Sequence, residues 1–163
     1  MMNKVSKTLL MGGTGFLVLL FLSHLIKFPL LTFEIKDHLL WSTNKHFAIK
    51  WIHSVEKEEW VEFYEIKEDA LLLTKTKFKT FGAGVPSTPK ESKQAALIDG
   101  FVELEINRSF PSIQLVVSEN VKSTLIIDDK EILLYELAGD YEPVTISIQT
   151  ISLWDMLLKG ECL

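Results

Sequence analysis

The sequence predicts an all-β fold, a sandwich or open barrel of short antiparallel strands, with an N-terminal transmembrane helix and a short C-terminal helix. Three observations predict it. Beyond position 30 the side chains alternate with a period of two, as in Phe47, Ile49, Trp51 and His53 against Ala48, Lys50, Ile52 and Ser54. Turn signals divide the chain into many short apolar runs at close spacing. The one strong helix signal outside the N-terminal segment comes at the end. There Ser152 and Asp155 have capping-box spacing, Leu153, Met156 and Leu157 share a face, and Gly160 can stop the helix.

The first element is a run of 19 residues without formal charge, Thr8 to Ile26. At about 1.5 Å per residue it spans about 29 Å, close to the hydrocarbon core of a bilayer. Lys4 and Lys7 precede it, and acidic residues begin only at Glu34. The positive-inside bias therefore predicts a single pass through the cell membrane, N-terminus cytoplasmic and everything after Pro29 outside. A cleaved signal would want a shorter apolar core and a small-x-small site. Ser23 is the only small residue between Leu22 and Lys27, so an uncleaved anchor is preferred. Residues 1–29 then form the cytoplasmic tip and anchor, and 30–163 the extracytoplasmic β-domain. Within the anchor, Gly12-Gly13-Thr14-Gly15 looks like the glycine-rich turn of nucleotide-sugar epimerases. Val18 stands where the third glycine belongs, and no Tyr-x-x-x-Lys pair follows at Tyr64 or Tyr135. Glycines common in membrane helices explain the stretch better.

The strands follow in order. Leu31 to Ile35 and Leu39 to Ser42 start the sheet. Phe47 to His53 and Val61 to Ile66 form a hairpin around Ser54 to Glu59. Ala70 to Phe81 is a long strand with Lys75, Lys77 and Lys79 on one face. That row reads as a solvated face suited to guarding an edge. Gly82 to Gly100 is the longest irregular stretch, and loops of that length are often functional. Phe101 to Ile106, Ile113 to Val117, Leu125 to Ile127, Ile132 to Tyr135 and Val144 to Ile148 complete the set. Asp128-Asp129-Lys130 makes a hairpin turn.

The chain has 163 residues, 47% apolar and 24% charged, with a mean hydropathy of +0.19. That composition is globular and excludes disordered or collagenous chains. Cys162 is the only cysteine, so no internal disulfide forms. Removing Lys4, Lys7 and Lys27 from the 17 basic residues leaves 14 against all 22 acidic ones, a formal charge of -8 on the exported part. This argues against nucleic acid and anionic membrane surfaces as partners.

Two places draw attention as candidate binding sites. In the hairpin, a symmetric closure sets His53 opposite Trp60, Trp51 opposite Glu62 and Ile49 opposite Tyr64. Glu62 among Trp51, Trp60 and Tyr64 needs a partner. His53 is the nearest one, as a diagonal neighbour, with Glu56 also in reach. One reading is a polar pocket; the other is a structural His–Glu bond that fixes the hairpin. Ser54 beside His53 does not make a hydrolase, because adjacent strand residues point to opposite faces. No metal-ligand spacing is recognisable around His24, His38 and His46, nor a calcium loop at Asp128, Asp129 and Glu131. No catalytic residue, metal or cofactor is assigned. The second place is Phe81-Gly82-Ala83-Gly84-Val85-Pro86, where two glycines allow close approach of a ligand or another chain. Arg108, the only arginine, is suited to clamping a carboxylate or to pairing with a nearby acid at the surface.

His53-Ser54-Val55-Glu56, followed by Trp60, Glu62 and Tyr64 and then by Gly82, Ala83, Gly84 and Pro86, resembles a bacterial domain-of-unknown-function family numbered 1850. The resemblance covers about Leu30 to Ile148. Members are small, with an N-terminal hydrophobic segment, and are often encoded beside TRAP-type transporters that use TAXI solute-binding proteins. The resemblance implies that company and no catalytic residues. The expectation is therefore a membrane-anchored β-domain, not an enzyme, that assists such a transporter by contacting its subunits or a small ligand. The alternatives are a small metal-binding or enzymatic module using His53, Glu56 and Glu62, and a structural envelope protein.

Overall fold

The computed structural model describes residues 20–36, 38–82, 95–158 and 160–163. Most of the uncharged run, the glycine turn at 12–15, and Ala83, Gly84 and Pro86 lie outside them. Among the described residues no helix is long and apolar enough to cross a membrane. Residues 20–23 are helical, and a turn at 24–25 followed by Ile26 leads into the first strand at Lys27.

Among the described residues twelve strands form two sheets. The smaller one contains β1 (Lys27–Ile35), β2 (His38–Ser42), β8 (Ser112–Val116), β11 (Pro143–Ser152) and β12 (Gly160–Cys162), in the order β12-β2-β1-β11-β8. The larger holds β3 (His46–Ile52), β4 (Glu59–Lys67), β5 (Ala70–Phe78), β6 (Ala95–Ile98), β7 (Phe101–Phe110), β9 (Thr124–Ile127) and β10 (Lys130–Leu133), in the order β10-β9-β3-β4-β5-β7-β6. Every pairing is antiparallel except β12 with β2. The architecture is a two-sheet sandwich. Alternation places Leu31, Phe33, Ile35, Val144 and Ile146 of one sheet against Phe47, Ile49, Trp60, Tyr64 and Leu71 of the other in a single buried cluster. Phe33 meets Phe47 edge-on at 5.9 Å.

Helix α1 (Leu134–Ala138) interrupts what the sequence reads as a strand through Tyr135. The apolar run there has no alternation. Leu134 and Ala138, four apart, are both buried, which is helical spacing. Helix α2 (Leu153–Leu158) is the expected C-terminal helix, and its cap is formed: the Asp155 N–H donates to Ser152 Oγ at 3.1 Å.

Three further expectations are corrected. The stretch from Gly82 to Gly100 contains β6, joined to β7 by a two-residue turn in which Asp99 and Gly100 both have positive φ, 51° and 79°. Both positive angles match a type I′ hairpin turn. The lysine row does not guard an edge, because β5 lies between β4 and β7. Its lysines are held along the outer face instead: Lys75 pairs with Glu103 at 3.0 Å, and Lys77 and Lys79 lie over the Phe101 ring. The register of the β3–β4 hairpin also differs from the symmetric closure. Trp51 pairs with Trp60, Ile49 with Glu62 and Phe47 with Tyr64. The loop is tighter than supposed. The His53 N–H donates to the Glu58 carbonyl at 2.8 Å and the Lys57 N–H to the His53 carbonyl at 2.9 Å, with Lys57 in the left-handed region.

The direction of the strands fixes where the site sits. Pro29, Leu30 and Leu31 line one groove with Asn44, Lys45, Ile66 and Asp69. β1 therefore rises alongside β3, and the turn after β3 lies at the opposite end of the sandwich from Lys27. The seven residues of β3 alone put about 20 Å between those ends.

Candidate functional site

The end of the large sheet far from Lys27 carries a ladder of rings. Trp51 stacks on Trp60 at 5.7 Å, His53 on Trp60 at 5.6 Å, and Trp60 on Phe78 at 4.9 Å, while Phe81 meets Phe78 edge-on at 5.4 Å. The pairing of Trp51 with Trp60 and of Trp60 with Phe78 creates it, since directly opposed residues share a face. Trp60 and Phe78 are buried, whereas Val55 and Phe81 are each 68% exposed at the tip. The Trp60 Nε1 is buried with no hydrogen-bond partner among the described residues.

Beside this ladder Glu56 of the hairpin meets Gly82, with Phe81 the described start of the glycine motif. A Cβ built on Gly82 would press against the Glu56 side chain, 2.9 Å from its Cγ, so Glu56 lies directly over Gly82 and a larger residue there would push it aside. The Thr80 hydroxyl donates to Glu58 Oε2 at 2.7 Å, a second link between the loop and the segment after β5. His53, Glu56, Glu58 and Glu59 line a narrow cleft with Trp60, Phe78, Lys79 and Thr80. The result is a buried aromatic stack beneath a rim of three carboxylates and one lysine. The ring that a partner can touch is Phe81, which is exposed at the edge of the stack.

His53 holds the loop rather than Glu62. Its Nδ1 accepts from the Glu56 backbone N–H at 3.3 Å. Ser54 sits exposed in the turn. Glu62 is two ladder pairs nearer the middle of the sheet, on the core-facing side between Trp60 and Tyr64, opposite Ile49 and Thr76. Its partner is Tyr64, whose hydroxyl donates to Glu62 Oε2. Burial pushes the Glu62 carboxyl above its usual 4.5, and the Tyr64 hydrogen bond pulls it part of the way back. Burial and the neighbouring Glu62 also push the Tyr64 phenol up, which keeps it a donor. Arg108 pairs across from Leu73 and lies over the Phe110 ring at 4.9 Å. Among the described residues it makes no ion pair, so the expected surface pairing is replaced by ring contact.

The structure thus brings His53, Glu56, Trp60 and Gly82 together and leaves Glu62, Tyr64 and Arg108 outside that surface. Among the described residues no three His, Cys, Asp or Glu side chains gather as a metal site. Sequence reasoning missed Glu58, Phe78 and Thr80 as members of the tip. The signal for Phe78 was its place in the alternation of β5. Glu58 and Thr80 gave none, because their contact depends on how two loops fold toward each other.

Comparison with protein families finds one match, described as Domain of unknown function (DUF1850), over residues 47–134, just over half of the chain. The matched span contains the large sheet except its first residue, His46, together with β8 of the smaller sheet and the described tip. Comparison with curated proteins and with solved structures finds no match.

Proposed function

We infer a role for this chain from its family: it belongs to DUF1850, a domain of unknown function. We propose that it is a membrane-anchored, extracytoplasmic β-domain whose tip docks on a subunit of a TRAP-type transporter of the TAXI kind. The observation that carries the reading is the contact of Glu56 with Gly82 over the Trp51–Trp60–Phe78 stack. It joins the hairpin to the first residues of the glycine motif, at the end of the sandwich remote from Lys27. A domain tethered at Lys27 would hold this surface about 20 Å or more from the bilayer, where a partner can reach it. The exposed Val55 and Phe81 provide apolar contact at its centre, and Glu56 and Glu58 provide a rim that favours a basic partner surface. The resemblance to family members encoded beside such transporters supports the choice of partner, and the exposed Val55 and Phe81 support docking at this end.

The test is co-purification with TRAP-type transporter subunits in mild detergent. The tagged full chain is expected to carry them, and Phe81→Glu or Gly82→Ala to lose them while keeping the melting temperature within a few degrees. High salt is expected to weaken the complex, since the rim is charged. Clean separation at all protein levels, with unchanged solute uptake in a deletion strain, overturns the proposal.

A further inference from the structure

The end of the sandwich nearer Lys27 opens between the sheets. Leu31 of β1 pairs with Ser42 on one side and with Ile148 on the other, so the three form one row on the core-facing side of the smaller sheet. Phe33, the next inward residue of β1, meets Phe47 of the larger sheet and closes the interior above that row. Below it the sheets leave a cavity of about 300 Å³. That is the lower end of the range for small-molecule sites, about 300–1,000 Å³. Ile66 of β4 lines its other side, and Lys45 and the turn at Glu68 and Asp69 form its mouth. The Ile66 N–H donates to the Lys45 carbonyl at 2.8 Å, which ties the mouth to the wall. The chemistry of the lining is divided. Leu31 is 1% exposed, and Ile66 and Ile148 are half-buried, so the inner wall is apolar. Ser42, also buried, adds one hydroxyl. It accepts the Asn44 N–H at 3.1 Å, and its own proton meets no acceptor among the described residues. Lys45, Glu68 and Asp69 are exposed, and among the described residues none of them is in an ion pair.

We propose that this cavity is a binding site for a small aliphatic ammonium compound, an amine or an amino acid. The class follows from the lining. An aliphatic body of a few carbons covers Leu31, Ile66 and Ile148, and its burial is favourable in proportion to the apolar area removed from water. At the mouth two carboxylates stand against one ammonium, which selects a positive head held by charge-assisted hydrogen bonds to Glu68 and Asp69. An acceptor oxygen on the ligand takes the free Ser42 proton, and a ligand carboxylate has Lys45 as its counter-ion. The site is independent of the docking proposed for the tip: it lies at the opposite end of the sandwich and shares no residue with it.

The full chain, isotopically labelled and held in mild detergent, is titrated with three probes that share one aliphatic group: leucinamide, a cation; leucine, a zwitterion; and N-acetylleucine, an anion. Saturable amide shifts are expected at Leu31, Lys45, Glu68 and Ile148 with the first two and not with the third, and none at Trp51 or Trp60 with any. Glu68→Gln combined with Asp69→Asn keeps the cavity and is expected to weaken leucinamide about tenfold. Ile148→Trp fills the cavity and is expected to abolish binding of both. Lys45→Ala separates the two sources: a loss confined to leucine assigns the site to amino acids, and no loss assigns it to simple amines. N-acetylleucine binding as tightly as leucinamide overturns the proposal. So does the absence of saturable shifts with every probe at millimolar concentration, or the persistence of those shifts in Ile148→Trp.

Discussion

The Glu62 carboxyl shares the core-facing side of β4 with Trp60 and Tyr64, and the consequence is a pH dependence with a definite sign. Burial raises its pKa above the 4.5 of an unfolded chain. In the window above 4.5 the folded state thus binds more protons than the unfolded one. The contribution of this group to stability is full below 4.5 and is lost as the pH rises through the folded value. Gln at this position keeps the acceptor for Tyr64 and removes the titration. Glu62→Gln is expected to flatten the melting-temperature profile above pH 4.5 and to match or exceed the wild type at neutral pH. Thermal melts across that range decide it, and a variant whose decline parallels the wild type sinks the account. The need of Glu62 for a partner was legible in the sequence, because a carboxylate among aromatic residues is costly alone. Its identity was not. It turned on a two-residue shift in register, set by the left-handed Lys57, a residue that carries none of the Gly or Asn signal such positions normally show.

At the scale of elements, alternation in the sequence located β3, β4, β5 and β7, although Ala48 and Val61 are buried beside Phe47, Ile49 and Trp60, so that β3 and β4 are covered on both faces there. It failed where the sequence shows no alternation. All four residues of β6 are exposed, and the run into α1 is apolar without a period. Asp99-Gly100 between two apolar runs was the readable trace of β6. This strand is held to the sheet by β7 alone, through four residue pairs closed by that turn. Gly100 has φ of 79° and open space around a built Cβ, so an alanine there suffers backbone strain and nothing else. The strain is about 1 kcal/mol. Gly100→Ala is expected to speed amide exchange in Ala95–Ile98 while leaving exchange in β3 and β4 unchanged. Equal acceleration across the large sheet would show that β6 is part of the global folding unit rather than an appended edge.

For the whole molecule, the sequence displayed the strand-built class but not the partition into two sheets. That partition depends on which distant strands pair, as β1 does with β11 more than a hundred residues later. It also hid the approach of Glu56 to Gly82 that builds the tip. If the tip is to stand at a fixed distance from Lys27, the sandwich between them must fold as a single cooperative body. Phe33 is the place to ask. It is fully buried in the smaller sheet and meets Phe47 of the larger one, so it belongs to both. Phe33→Ala leaves a cavity at the interface and is expected to cost about 3–5 kcal/mol. Under cooperativity that loss appears equally in amide exchange from β1 and from β4, and in one thermal transition. Loss confined to β1, with the Trp51–Trp60 stack melting unchanged, would mean that the sheets unfold separately. A tip loosened from the smaller sheet in that way would not stand at a fixed distance from Lys27.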